Sequence, residues 1–171
     1  MHLYTHVSQE WVDQGCVNQI IAYTPYQKKL EAELYQLGFG LLVIDAACTI
    51  KKDYPPILLP QSIVIRKAQP ADIDSLCRLN EQITTHLTAS PSFLFTTPSE
   101  HPTFDQYIGE NTCTFVLEHN SQVIGAIRAQ TQTSNLNFLA DPHNLQIDFA
   151  FINPEYRSQG LGKALVHTIF N

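Results

Sequence analysis

Apolar residues fall four apart at Leu3, Val7 and Trp11, with Gly15 just beyond, and this spacing predicts a helix over residues 3–14 stopped by a glycine. Residues 16–23 are β-branched, short and bounded by Gly15 and Pro25, which predicts a buried strand. A second helix follows, with Pro25 in its first turn, Leu30, Leu34 and Leu37 on its apolar face and Gly38-Phe39-Gly40 at its end. Residues 41–50 form another expected strand, so the first fifty residues run helix, strand, helix, strand. Residues 51–61, KKDYPPILLPQ, carry three prolines, each lacking the donor that a helix interior or central strand needs, and read as a linker.

Beyond the linker, Ile63 and Ile65 alternate with polar neighbours as in a half-buried strand. Gln69-Pro70-Ala71-Asp72 then turns the chain into an amphipathic helix carrying Ile73, Leu76, Leu79, Ile83 and Leu87. A proline-containing stretch, residues 89–111, predicts one short helix around Phe104 to Ile108. Residues 112–118 and 123–130 flank the polar His119-Asn120-Ser121 and predict a hairpin. The last strand, residues 145–152, runs through Asn153-Pro154 into a glycine-containing loop and a helix that begins near Gly160.

With 171 residues, 44% hydrophobic and 15% charged, the chain is apolar enough to fold around a core and has the length of one ordinary domain or two incomplete ones. Ten basic against sixteen acidic residues give a net charge of -6, and no basic cluster exceeds Lys51-Lys52, which argues against nucleic acid as a partner. No apolar run approaches the roughly 18 residues of a membrane span, and no signal peptide opens the chain, so the cytoplasm is the expected location. Cys16, Cys48, Cys77 and Cys113 are too widely spaced for a disulfide framework or a CxxC site and are expected as reduced, mostly buried thiols.

Candidate chemistry concentrates in residues 149–165, FAFINPEYRSQGLGKAL. A strand, a bend at Pro154 and a glycine-containing loop opening a helix aim several amides at one point. The unpaired N–H groups and partial positive charge of a helix start favour a phosphate there. The dinucleotide fingerprint fails because Leu165 stands at its third glycine. The P-loop pattern fails because Arg157 and Ala164 stand where Gly and Ser or Thr are required. The plainer alternative is a glycine-rich helix start without a ligand.

Arg157-Ser158-Gln159-Gly160-Leu161-Gly162 matches the acyl-CoA signature of the GNAT acyltransferase superfamily, which this chain resembles. Residues 65–72, IRKAQPAD, resemble the first strand and helix start of that fold, and Val123-Ile124-Gly125 its third strand. The resemblance implies an α/β fold with a mixed, mostly antiparallel sheet flanked by helices. It further implies acetyl-CoA as co-substrate and direct acetyl transfer to a small-molecule or peptide amine. By it, main-chain groups of Ala150, Phe151 and Ile152 hold the acetyl and pantetheine arm, and Arg157, Ser158, Gln159, Gly160, Leu161 and Gly162 take the diphosphate. Such a transfer needs a base, oxyanion donors and an acid for the thiolate. Asp148, near the implied acceptor site, is the candidate base, directly or through water; an ordinary strand carboxylate is the competing reading.

The resemblance also carries departures. Residues 62–171 resemble the front half of the fold, through the helix after the fourth strand, and residues 1–50 resemble its back half, as in the middle of a tandem two-domain protein. The order is permuted, and the expectation is that residues 1–50 complete the sheet, within one chain or by exchange between two in a homodimer. The thiolate-protonating tyrosine would fall at Leu34; Tyr35 is one place off, about 100° around the helix, and is either a packing residue or a repositioned acid. A degenerate module that binds CoA without turnover, or acts in assembly, is therefore the second functional reading, and an unrelated phosphate binder the third. His2, His6 and Glu10 share a helix face at metal-binding spacing but equally form a solvated stripe, so no metal is expected. Cys77 or Cys113 beside a histidine is a weaker nucleophile candidate than a structural thiol. Trp11 and residues 93–95 suit a core or an acceptor pocket.

Overall fold

A computed structural model of the chain describes residues 2–16, 18–24, 26–42, 44, 46–50, 54–55, 57–89, 107–131 and 144–171. The chain divides into two compact units, residues 1–41 and 42–171.

The first unit holds α1 (His2–Asp13) and α2 (Lys28–Gln36). Both end in the same way. Gly15, at φ +85°, lets Cys16 N–H reach the Trp11 carbonyl while Gly15 N–H bonds Val12; Gly38, at φ +89°, does the same for Phe39 to Leu34 and for itself to Tyr35. This left-handed turn satisfies the last helical carbonyls, and glycine adopts it without a Cβ penalty. Leu34 is buried, the Tyr4 and Phe39 rings meet edge-on at 5.5 Å, and the Tyr4 hydroxyl donates to Gln19 Oε1. α2 starts at Lys28, later than the sequence pattern places it; Pro25 lies outside the described residues.

The second unit is built on a four-stranded antiparallel sheet in sequence order: β1 (Ile63–Lys67), β2 (Thr112–His119), β3 (Gln122–Gln130) and β4 (Gln146–Ile152). Helix α3 (Ile73–Thr88) follows β1, and α4 (Leu161–Phe170) follows β4. Because strand side chains alternate between faces, each face has its own core. Leu76 and Leu79 of α3 pack with Val116, Ala126, Phe149, Phe151 and Tyr107 on one side; Leu161 and Leu165 of α4 pack with Ile63, Leu117, Ile124 and Ile127 on the other. β2 and β3 are thus covered on both faces.

The β2–β3 turn has two central residues with positive φ, Asn120 at 50° and Ser121 at 62°, which matches the twist of a two-residue hairpin. The β2–β3 and β3–β4 ladders each carry an irregularity. Between β2 and β3 the register skips Ile124, and between β3 and β4 it skips Asp148. An extra residue on one strand bends it and re-aims its side chains. The turn into α3 is held by a reciprocal cap: Gln69 N–H donates to Asp72 Oδ2 at 2.8 Å, and Arg66 of β1 grips both Asp72 oxygens at 2.7 and 2.9 Å while its Nε donates to Glu118 of β2.

The described residues of the two segments expected as strands in residues 1–50 adopt neither helix nor strand. Their composition favours extended backbone, but a strand needs a ladder partner, and none pairs with them among the described residues. Ile20 is 76% and Ile44 74% exposed. The described part of the linker also lacks helix and strand, yet it is docked. His167 Nδ1 of α4 donates to the Pro55 carbonyl at 3.1 Å, the Tyr54 ring lies against His167 and Phe170, and Leu59 packs beside the α4-side core. Most of the short helix expected at 104–108 lies outside the described residues; Tyr107 is buried. Two thiols expected in a core, Cys16 and Cys48, are exposed, whereas Cys77 and Cys113 are half-buried. The exposed pair sits in the segments that found no ladder. No helix among the described residues is long and apolar enough to cross a membrane.

Candidate functional site

The candidate site grows out of the end of β4. Gly125 of β3 pairs with Ile152, and a Cβ at Gly125 would stand 2.8 Å from the Phe151 carbonyl oxygen, so glycine is what lets β4 lie this close. Asn153 N–H closes the ladder on the Ile124 carbonyl at 2.9 Å. A 3-10 turn, Pro154–Tyr156, then reverses the chain through Tyr156 N–H to Asn153 O and Arg157 N–H to Pro154 O.

The loop that follows uses two left-handed residues, Ser158 at φ +63° and Gly160 at φ +78°, to swing into α4. Gly160 is the N-cap, and no side chain caps the helix. Leu161 is buried and anchors the first turn, whereas Ser158, Gln159, Gly160, Gly162 and Lys163 are exposed. The opening amides of a helix have no partner within it, so here they are left facing outward beside a lysine, with no acidic residue in the first turn. Nothing lies within 4 Å of a Cβ built on Gly160, and only the end of the Ile152 side chain approaches one on Gly162, at 3.7 Å. The helix start is thus open on its outer side, and its amides are donors of the kind a diphosphate would take.

Arg157 turns back across β4 rather than outward. Its Nε donates to the Ile152 carbonyl at 2.9 Å, and its guanidinium carbon lies 5.2 Å from the centre of the Phe151 ring. The Asn153 Oδ1 atom is buried and accepts no hydrogen bond among the described residues. A groove of about 690 Å³ opens alongside, between Glu81, Gln82 and His86 of α3 and Phe151, Asn153 and Arg157.

At the other end of β4 the unpaired register position belongs to Asp148. Its carboxylate takes two hydrogen bonds from Arg128, at 2.9 and 2.8 Å, and one from Gln130. Arg128 in turn lies over the Tyr107 ring at 5.1 Å. Burial pushes the Tyr107 hydroxyl up to about 12, so it stays protonated. The carboxylate that stood out in the sequence is therefore a member of an ion-paired cluster, whose other members, Arg128, Gln130 and Tyr107, carry no local sequence signal. Strand register brings Arg128 and Gln130 to Asp148, and Tyr107, ahead of β2, joins them under the Arg128 guanidinium.

Ala150, Phe151, Ile152 and residues 157–162 come together within the second unit. Tyr35 belongs to the first, where it is half-exposed and its hydroxyl donates to Glu31 Oε1 at 3.5 Å. His6 and Glu10 form an exposed pair at 3.8 Å, and the His2 side chain lies outside the described residues. No group of three metal-ligating side chains is found among the described residues. Burial, then Asp74 and Glu81, push the Cys77 thiol up, the opposite of what an activated nucleophile needs. Trp11 is 38% exposed, and residues 93–95 lie outside the described residues.

Residues 80–171, more than half of the chain, match the model of the Acetyltransferase (GNAT) family, so the chain belongs to that family. No curated protein sequence matches it. Among solved structures it is similar to a ribosomal-protein-alanine N-acetyltransferase from Brucella melitensis biovar Abortus 2308, at 16% identity and a TM-score of 0.44, over 64% of this chain and 70% of that one. It is also similar to an acetyltransferase from Vibrio fischeri, at 23% identity and a TM-score of 0.44, over 62% and 82%. A third is aminoglycoside acetyltransferase meta-AAC0020 from an uncultured soil metagenomic sample, solved with sisomicin, at 13% identity and a TM-score of 0.46, over 63% and 67%.

Proposed function

We propose that this protein is an acetyl-CoA-dependent N-acetyltransferase that passes an acetyl group directly to an amine. The observation carrying this reading is the uncapped start of α4 at Gly160, within a chain of the GNAT family. The loop of residues 157–162 holds the diphosphate through its main-chain amides from Ser158 onward, the Arg157 amide being bonded to Pro154, and Lys163 adds positive charge beside them. Main-chain groups of Ala150, Phe151 and Ile152 take the pantetheine arm, and the unpartnered Asn153 Oδ1 accepts an amide N–H of that arm. When bound, acetyl-CoA supplies an acetyl group activated as a thioester.

The cluster around Asp148 orders the amine, or a water that relays its proton, at the irregular end of β4. A carboxylate already engaged by Arg128 and Gln130 suits orientation through its remaining lone pairs. Tyr35 is the candidate proton donor to the leaving thiolate. The acceptor is a small molecule or a peptide amine, and the net charge of -6 favours a cationic one in a cytoplasmic setting.

A second reading rests on Leu34. It is 6% exposed and brings no hydroxyl to the helix position where the family's acid would stand, which favours a module that binds CoA without turnover or serves in assembly. Titration calorimetry with acetyl-CoA tests the loop, and thiol release with a panel of amines tests turnover. Binding together with release supports the enzyme. Tight binding without release on any amine leaves the module, and absence of binding overturns both.

We further propose that residues 1–50 supply strands to the open side of β4, in the same chain or by exchange between two. Among the described residues β4 pairs only with β3, and the β-prone segments carrying Ile20 and Ile44 have no ladder.

A further inference from the structure

We propose that His119 is a positioning residue for the diphosphate loop, acting through Tyr156; the inference rests on the acetyl-CoA reading above and extends it to a residue outside the motif. His119 ends β2 at the tight β2–β3 turn, far in sequence from the loop. Its Nδ1 lies 3.2 Å from the Tyr156 hydroxyl, and the two rings meet edge-on at 5.4 Å. Tyr156 closes the 3-10 turn immediately before Arg157, and its ring packs beside the α4-side core.

The neighbouring residue sets the direction of this bond. Asn120 Nδ2 lies 3.3 Å from His119 Nε2, and an amide nitrogen can only donate. With Nε2 as that acceptor, the ring proton sits on Nδ1 and His119 Nδ1–H donates to the Tyr156 oxygen. Asn120 is itself held by the turn, at φ 50°. The chain Asn120, His119, Tyr156 thus ties the loop to the end of β2, a strand that pairs on both sides with β1 and β3.

Such a tie has a function because the loop beyond it is thinly held. Ser158, Gln159 and Gly160 are exposed, and two of the three have positive φ. Four contacts fix the entry to this stretch: Tyr156 N–H to Asn153, Arg157 N–H to Pro154, Arg157 Nε to Ile152, and the His119–Tyr156 bond. The last is the one made to β2, and it adds to the Asn153 N–H bond to Ile124 and to the packing of the Tyr156 ring on the α4-side core. It sets where the exposed amides stand relative to the sheet that carries the pantetheine arm, so the ordering of the loop precedes binding.

The test uses the full chain with His119→Ala, Tyr156→Phe, the double variant and His119→Asn, whose side-chain nitrogen can replace Nδ1 as the donor. Without ligand, hydrogen exchange at the Tyr156 and Arg157 amides is expected to rise about five- to tenfold in the first three variants, with β2–β3 amides unchanged and His119→Asn close to wild type. CoA affinity falls by a similar factor, the double variant losing no more than either single one, while S-acetylpantetheine, which lacks the diphosphate, binds all variants equally. Unchanged exchange at Tyr156 and Arg157, additive losses in the double variant, or an equal loss with S-acetylpantetheine would overturn the assignment. Should the wild-type chain fail to bind CoA, the acetyl-CoA reading falls, and the exchange measurement still decides the tie.

Discussion

Gly160 combines an open surface with a backbone angle, φ +78°, that few side chains tolerate. Asn and Asp are the mildest replacements there, since both enter the left-handed region more readily than other residues. Gly160→Asn is expected to retain most CoA affinity, whereas Gly160→Asp, which differs by one charge, abolishes detectable binding in calorimetry; equal affinities for the pair would remove the diphosphate from this loop. Gly125 has the opposite constraint, since its neighbour at 2.8 Å is a backbone oxygen that cannot rotate away. Gly125→Ala must push β4 outward, and a loss of about 1–3 kcal/mol in urea unfolding is expected. The two glycines look alike in the sequence. One sits at open surface ahead of a helix and the other makes room for a strand.

At the scale of elements, the turn from β1 into α3 depends on Asp72. Its hydrogen bonds from Arg66, opposed by burial and helped by the Gln69 amide, hold its carboxyl below the ordinary carboxylate value, and the same contacts push Arg66 up. The folded chain therefore binds this proton less readily than the unfolded one. Asp72 contributes its full stability above the unfolded value, about pH 4, and loses it as pH falls through the lower folded value. Asp72→Asn is expected to cost about 2 kcal/mol at pH 7 and to flatten the acid limb of the stability curve, read from urea midpoints between pH 7 and pH 2. A variant that keeps the wild-type acid slope would show that the turn is held some other way. The pattern IRKAQPAD pointed to a strand feeding a helix, and that much is local. That Arg66 also binds Glu118 of β2 follows from the antiparallel register of β1 with β2, which no local pattern states.

For the whole molecule, the open side of β4 and the strandless β-prone segments make one prediction. Replacing the most exposed isoleucine of each segment, Ile20→Asp with Ile44→Asp, is expected to lower the unfolding midpoint if these segments complete a sheet. If completion is by exchange, the wild-type chain sediments as a dimer at micromolar concentration and the double variant as a monomer. A wild-type midpoint and a wild-type mass in that variant would overturn the proposal.

Helices, the hairpin and the glycine-containing loop were legible from single segments because each depends on contacts within a few residues: apolar spacing, a glycine stop, a two-residue turn, an uncapped helix start. The segments of residues 1–50 that read as strands carry no ladder among the described residues, because extended backbone is stable only against a partner, and pairing is not a property of one segment. The clustering of Arg128, Gln130 and Tyr107 at Asp148, and the hydrogen bond between His119 and Tyr156, arise where strands and the turns beside them, distant in sequence, are brought together. Local periodicity and turn chemistry wrote the elements into the chain, while register and the packing of two helices on opposite faces chose which side chains would meet.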